Sequence, residues 1–138
     1  TYSSDNYKVV NLVIVYLLLV TSCLTMLEWI FNIRFLFTTN ALEATTKFNT
    51  ALLFFISTIS LLICKKTTKK YKIFFVFFIT IILSISTLTL VEYIFYVDTF
   101  VDDLFIKDTF STIHPSRMSV ATSASFIFFG ILPNSFFT

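Results

Sequence analysis

The sequence predicts an all-α membrane protein, with four transmembrane helices arranged as two repeated helical hairpins. Three observations lead there. The chain of 138 residues is 57% hydrophobic and 13% charged, where a soluble domain is roughly 45–50% apolar and about 25% charged. Its apolar residues fall into four long blocks separated by polar connections, and its mean hydropathy is +0.88. A short pattern near the end of the first block recurs near the end of the third.

The first span covers residues 9–31. A helix rises 1.5 Å per residue and needs about 20 residues to cross a hydrocarbon core, so this block is long enough. Asn11 lies near its start and Glu28 near its end, each within reach of an interface. A polar connection follows, with Arg34, Glu43 and Lys47 and a turn signal at Thr38 to Asn40. The second span covers 48–64, is short and holds no charge. The turn after it, Lys65 to Lys72, carries five lysines and no acid. The third span covers 73–96 with one charge, Glu92. Then comes a longer connection, Val97 to Arg117, in which Phe100, Leu104 and Phe105 suggest one face of a short interfacial helix. His114-Pro115 is a turn signal that would stop it. The fourth span covers 119–137 and is interrupted by Gly130 and Pro133; proline is tolerated in a membrane helix where neighbours satisfy the backbone. An end directly after a span is what a piece of a longer chain would show.

Loops on the cytoplasmic side carry the excess of Lys and Arg. The Lys65–Lys72 turn is therefore expected inside, and the Val97–Arg117 connection, with four Asp against Lys107 and Arg117, outside. Four spans then put the N-terminus inside as well. Val20-Thr21-Ser22-Cys23 superficially fits a lipoprotein cleavage site. The apolar block continues past Cys23, however, and the segment before it holds one Lys and one Asp, so it reads as a span and not as a cleaved signal.

The halves resemble each other. Thr25-Met-Leu-Glu28-Trp-Ile-Phe31 matches Thr89-Leu-Val-Glu92-Tyr-Ile-Phe95, and Thr46-Lys-Phe-Asn-Thr50-Ala-Leu-Leu-Phe54 parallels Met118-Ser-Val-Ala-Thr122-Ser-Ala-Ser-Phe126. The repeated unit is span, outer connection, span, over 9–64 and 73–137. Parallel repeats of this kind relate by an axis along the membrane normal.

Val91-Glu-Tyr-Ile-Phe95, Asp98, Val101-Asp-Asp-Leu-Phe105, Pro115-Ser-Arg-Met-Ser119 and the segment from Thr122 to Gly130 together resemble the N-terminal membrane region of bacterial sensor histidine kinases and diguanylate cyclases. Lys47-Phe-Asn-Thr-Ala51 fits the same pattern in the first half. Two positions depart from it: Val120 stands where that family favours Pro, and Ala121 where it favours Asn. The resemblance implies a sensory or anchoring module in a bacterial inner membrane. Its output domain, a kinase or cyclase, would lie beyond this segment.

Among individual residues, Glu28 and Glu92 carry most information, because a carboxylate at membrane depth is costly and marks function by default. Each has a cation at the start of the return span, Lys47 and Arg117, so structural pairing competes with a ligand or proton site. The candidate sensing set is Glu28, Glu92 and Arg117, with Asp98 and Asp102 contributing from the outer connection. Asp98, Asp102, Asp103 and Asp108 match no calcium-loop spacing, and His114, the single histidine, cannot build a zinc site alone. A solvated acidic loop is the simpler reading. Cys23 and Cys64 are too few for a disulfide framework. Small hydroxyl residues let membrane helices approach closely and bond across, so Thr50, Ser57, Ser60, Ser84, Ser86, Thr122, Ser123 and Ser125 are read as packing surface.

No phosphate loop, nucleophile elbow or zinc-helix motif is present, so no enzymatic activity and no cofactor are expected of this segment. A net charge of +2 offers no basic field for nucleic acid. The expected partners are the lipid bilayer and a second copy of the chain, as a homodimer or larger membrane assembly. The alternative function is a structural subunit of a larger membrane complex. A small transporter is a weaker third reading, since no span has a Gly-rich unwound centre.

Overall fold

The computed structural model describes residues 2–31, 33, 46–64, 68–97, 105–106 and 117–132. Among these the chain is all helical, without strands: α1 (Tyr2–Phe31), α2 (Phe48–Cys64), α3 (Lys69–Phe95) and α4 (Val120–Ile131). Successive helices pack on one another, α1 on α2, α2 on α3 and α3 on α4. α1 and α4 share no comparable interface among the described residues.

The second helix begins and ends where the uncharged block does. The first runs back to Tyr2, seven residues before the apolar block starts. A helix needs only its own backbone bonds and does not stop where hydrophobicity does. The third likewise starts earlier than predicted, at Lys69. Thr68 is its N-cap, and the Thr68 carbonyl accepts from the Tyr71 and Lys72 amides at 2.9 and 3.3 Å. It closes at Tyr96, whose φ of 54° is left-handed; a non-glycine residue there adds roughly 1–2 kcal/mol of strain and ends the helix. α4 is 12 residues long and stops at Ile131, with Leu132 closing it. The expected continuation of the fourth span to 137 lies outside the described residues.

Among the described residues two helices are long and apolar enough to cross a membrane, Lys8–Phe31 and Lys69–Phe95. Only 11% and 28% of their most apolar windows are buried within the chain, whereas the core helix of a soluble protein is mostly buried. α2, at 17 residues, and α4, at 12, are shorter apolar helices. The packed core lies among α2, α3 and α4: Leu53, Phe75, Ile79, Ile82, Met118 and Phe126, with Ile56, Leu83, Ile85 and Phe129 against it. The Phe54 and Phe126 rings meet edge to face at 5.0 Å, joining α2 to α4. Gly130 lets α4 approach α3 closely. A Cβ built on it would lie 2.5 Å from Leu83 Cδ2 and 2.7 Å from Leu83 Cγ.

The resemblance between the halves extends into the helix geometry. Ser22, Leu24, Thr25, Glu28, Ile30 and Phe31 recur 64 positions later as Ser86, Leu88, Thr89, Glu92, Ile94 and Phe95. α1 and α3 end on the last of these pairs, Phe31 and Phe95. Ser22, Thr25, Ser86 and Thr89 are all buried. At the offset of 72 that relates Thr50 to Thr122, α2 and α4 start at matching residues, Phe48 and Val120. Their first amide bonds match too, Ala51 to the Lys47 carbonyl and Ser123 to the Ser119 carbonyl, at 3.1 and 3.0 Å.

Candidate functional site

The buried residues Thr25, Lys47, Asn49, Thr89, Glu92 and Ser123 lie toward the end of the molecule where α1 and α3 finish and α2 and α4 begin, while Ser22, Ser57, Thr58, Ser60 and Ser86 lie farther along the helices. Glu92 sits in the last turn of α3 with its side chain fully buried. Arg117 lies three residues ahead of α4, and its Nε is 3.4 Å from Glu92 Oε2. The guanidinium also stacks over the Tyr93 ring, 5.3 Å from its centroid. The helix dipole disfavours a carboxylate at a C-terminus and a cation at an N-terminus. Here the two misplaced charges neutralise each other, which explains why the pair stays together. The Glu92 carboxylate is enclosed, and the Arg117 at the start of the return span lies against it.

Arg117 is positioned by the start of α4. The Ser119 Oγ accepts from the Thr122 amide at 3.1 Å and lies 2.8 Å from the Thr122 hydroxyl. Met118, between the arginine and the cap, is fully buried in the core. These two anchors on its C-terminal side fix where Arg117 leaves the chain.

The corresponding corner of the first half has an indole contact of its own. Glu28 is half-buried in the last turn of α1, and its carbonyl accepts from the Ile33 amide at 3.0 Å. Beside it the Trp29 Nε1 donates to the Thr46 carbonyl at 2.8 Å, tying α1 to the approach of α2. Lys47 and Asn49 follow, both buried. Trp29 thus anchors through its indole N–H at the position where Tyr93 offers its ring face to Arg117. Phe105, from the long connection, packs on Phe48 with ring centroids 6.1 Å apart. Phe105 and Ile106 are not helical, so the short interfacial helix expected there does not reach Phe105; Phe100 and Leu104 lie outside the described residues.

Of the five predicted sensing residues, Glu92 and Arg117 are brought together, and Glu28 lies at the matching position of the other hairpin. Asp98 and Asp102 lie outside the described residues, as do Asp103, Asp108 and His114. Among the described residues no group of His, Cys, Asp and Glu can hold a metal ion. Of the hydroxyl residues expected to form packing surface, Ser57, Ser60, Ser86 and Ser123 are buried. Ser60, Ser84, Ser123 and Ser125 donate to the carbonyl four residues back along their own chain segment instead of across helices, as do Ser22, Thr25, Thr58 and Thr89. The Ser57 and Ser86 hydroxyls are buried without a hydrogen-bond partner among the described residues. Sequence reasoning missed Tyr93, Trp29 and the Ser22/Ser86 pair; the last was visible as an identity at the same 64-residue offset.

No family model, curated protein or solved structure matches the chain.

Proposed function

We propose that this chain is a membrane-embedded sensory or anchoring module of a bacterial inner membrane, passing a signal to a cytoplasmic histidine kinase or diguanylate cyclase. It crosses the bilayer four times as two copies of one hairpin, with the N-terminus and the Lys65–Lys72 turn inside. α2 is near the lower limit for a span of about 17–25 residues. α4 reaches about 18 Å at 1.5 Å per residue, so its crossing depends on residues 133–138. The module works as a homodimer or larger assembly.

The observation that carries this reading is the buried Glu92–Arg117 pair at the outer end of α3 and α4. It joins the helix arriving from the basic turn to the helix leaving toward the inside. Anything that opens the pair from outside would change how α4 packs on α3, and α4 is the element that would deliver the change inward. A ligand acts here only through its differential affinity for two packings. The supporting sequence pattern is Pro115-Ser-Arg-Met-Ser119, whose arginine is the one in the pair. No step of catalysis is assigned to the segment.

The test is the reading frame beyond Thr138. The expected result is a coiled linker followed by a phosphoacceptor-histidine domain or a cyclase domain. A stop codon there would remove the sensory reading and leave a structural subunit of a membrane complex.

A further inference from the structure

The duplication pairs each surface of one hairpin with a surface of the other, and one such comparison is asymmetric. On α2 the residues Asn49, Leu53, Ile56 and Ser60 follow one another by four, three and four, so they form a single stripe. Asn49, Leu53 and Ser60 are buried, and Leu53 and Ile56 belong to the core that holds α3. Their counterparts 72 positions on are Ala121, Ser125, Phe128 and Leu132, and all four are exposed, Phe128 by 67% and Leu132 by 60%. The opposite stripe of α4, Ser123, Phe126 and Gly130, is buried.

The same comparison holds for the helix that fills the α2 stripe. On α3 it presents Phe75, Ile79, Ile82 and Ser86, again spaced four, three and four and all buried. Their counterparts 64 positions earlier are Asn11, Val15, Leu18 and Ser22 on α1. Ser22 is covered, but Asn11 and Leu18 are exposed and Val15 is half-exposed. Each half of the α2–α3 interface therefore has an uncovered counterpart, one on α4 and one on α1.

The chain's own α1 does not close this gap. It packs on α2, its far end is tied through Trp29 to Thr46 just ahead of that helix, and it is one helix of 30 residues with neither glycine nor proline at which to bend. We infer that the α4 stripe Ala121/Ser125/Phe128/Leu132 is a docking surface for the α1 stripe Asn11/Val15/Leu18 of a second copy of this chain. Two copies that exchange α1 in this way bury both stripes twice and close a symmetric dimer, with each new interface built like α2 on α3. The inference rests on the membrane-embedded, duplicated-hairpin reading, not on the sensory one.

Leu18 and Ser125 are the counterparts of Ile82 and Leu53, which share one cluster. With Cys23 and Cys64 replaced by alanine, the double variant Leu18→Cys/Ser125→Cys is oxidised in native membranes and run without reductant. Disulfide-linked dimer is expected at about tenfold the yield of either single variant, because the bond closes only where Cα atoms come within roughly 7 Å. Thiol loss without a change in mass would mean that α1 folds onto its own α4, and would overturn the proposal. Dimer from Ser125→Cys alone would mean that α4 meets α4, and would overturn it too. Absence of any product, with Trp29 fluorescence unchanged from the parent, would assign both stripes to lipid. Release of the protein from the membrane by alkaline carbonate would remove the membrane reading, and the proposal with it.

Discussion

Replacing Arg117 with alanine is expected to destabilise the helix assembly by about 3–5 kcal/mol, the cost of leaving a buried charge without its counter-ion. Glu92 is fully enclosed and Arg117 retains only 16% of its side-chain exposure, so little water can take the arginine's place. Glu92→Gln should cost less, because Arg117 keeps its contact with the Tyr93 ring and can turn toward the surface. The double variant Glu92→Gln/Arg117→Ala should recover most of the loss, since neither charge is then buried alone. Arg117→Lys should fall between, because an ammonium lacks the flat face that stacks on the ring. Thermal denaturation in detergent micelles, followed by circular dichroism, orders the four variants. Equal losses for both single variants with simple additivity would show that the pair contributes nothing as a pair.

Gly130→Ala is expected to loosen α4 from α3 by about 1–3 kcal/mol, the usual range for overpacking. The added Cβ meets the Leu83 branch point at 2.7 Å and one of its methyls at 2.5 Å. The branch point cannot move aside by a rotamer change about its own methyls. Alanine gains roughly 1 kcal/mol of helix propensity over glycine, which opposes this loss without cancelling it. In a Leu83→Ala background the obstacle is gone, so the same Gly130→Ala change should become neutral or stabilising. That change of sign is the result to look for in the denaturation curves. A loss of the same size in both backgrounds would place the role of Gly130 elsewhere than in its approach to Leu83.

The sequence announces this fold unevenly, and the reasons are physical. α2 was legible to the residue because lysines bound its apolar block on both sides. The starts of α1 and α3 were not, because their first turns are polar and a helix extends through polar residues at little cost. The Glu92–Arg117 pair was foreseeable from a carboxylate at one helix end and a cation at the start of the next. Its enclosure was not, because burial depends on Met118 and on how α4 packs. The stacking on Tyr93 likewise depends on the direction in which Arg117 leaves the chain. Residue type marked the small hydroxyls as packing surface but not where their bonds go. Ser60, Ser84, Ser123 and Ser125 turn onto carbonyls one helical turn back, where an acceptor is always within reach, Thr122 meets Ser119, and Ser57 and Ser86 have no hydrogen-bond partner among the described residues. The two hairpins share their polar positions but differ in what fills the corner, Trp29 with Thr46 in one and Tyr93 with Arg117 in the other. A repeat in sequence predicts where such corners lie, not which bonds close them.

The claim on which the rest depends is that the helices cross a membrane with the lysine turn inside. Single cysteines at Lys8, Ile33, Lys70 and Tyr96, in the cysteine-free background, sample both ends of α1 and α3. In intact cells a membrane-impermeant maleimide should label Ile33→Cys and Tyr96→Cys. Lys8→Cys and Lys70→Cys should react only once the membrane is opened. Labelling of Lys70→Cys and Tyr96→Cys from the same side would contradict the crossing of α3, and the account of the molecule with it.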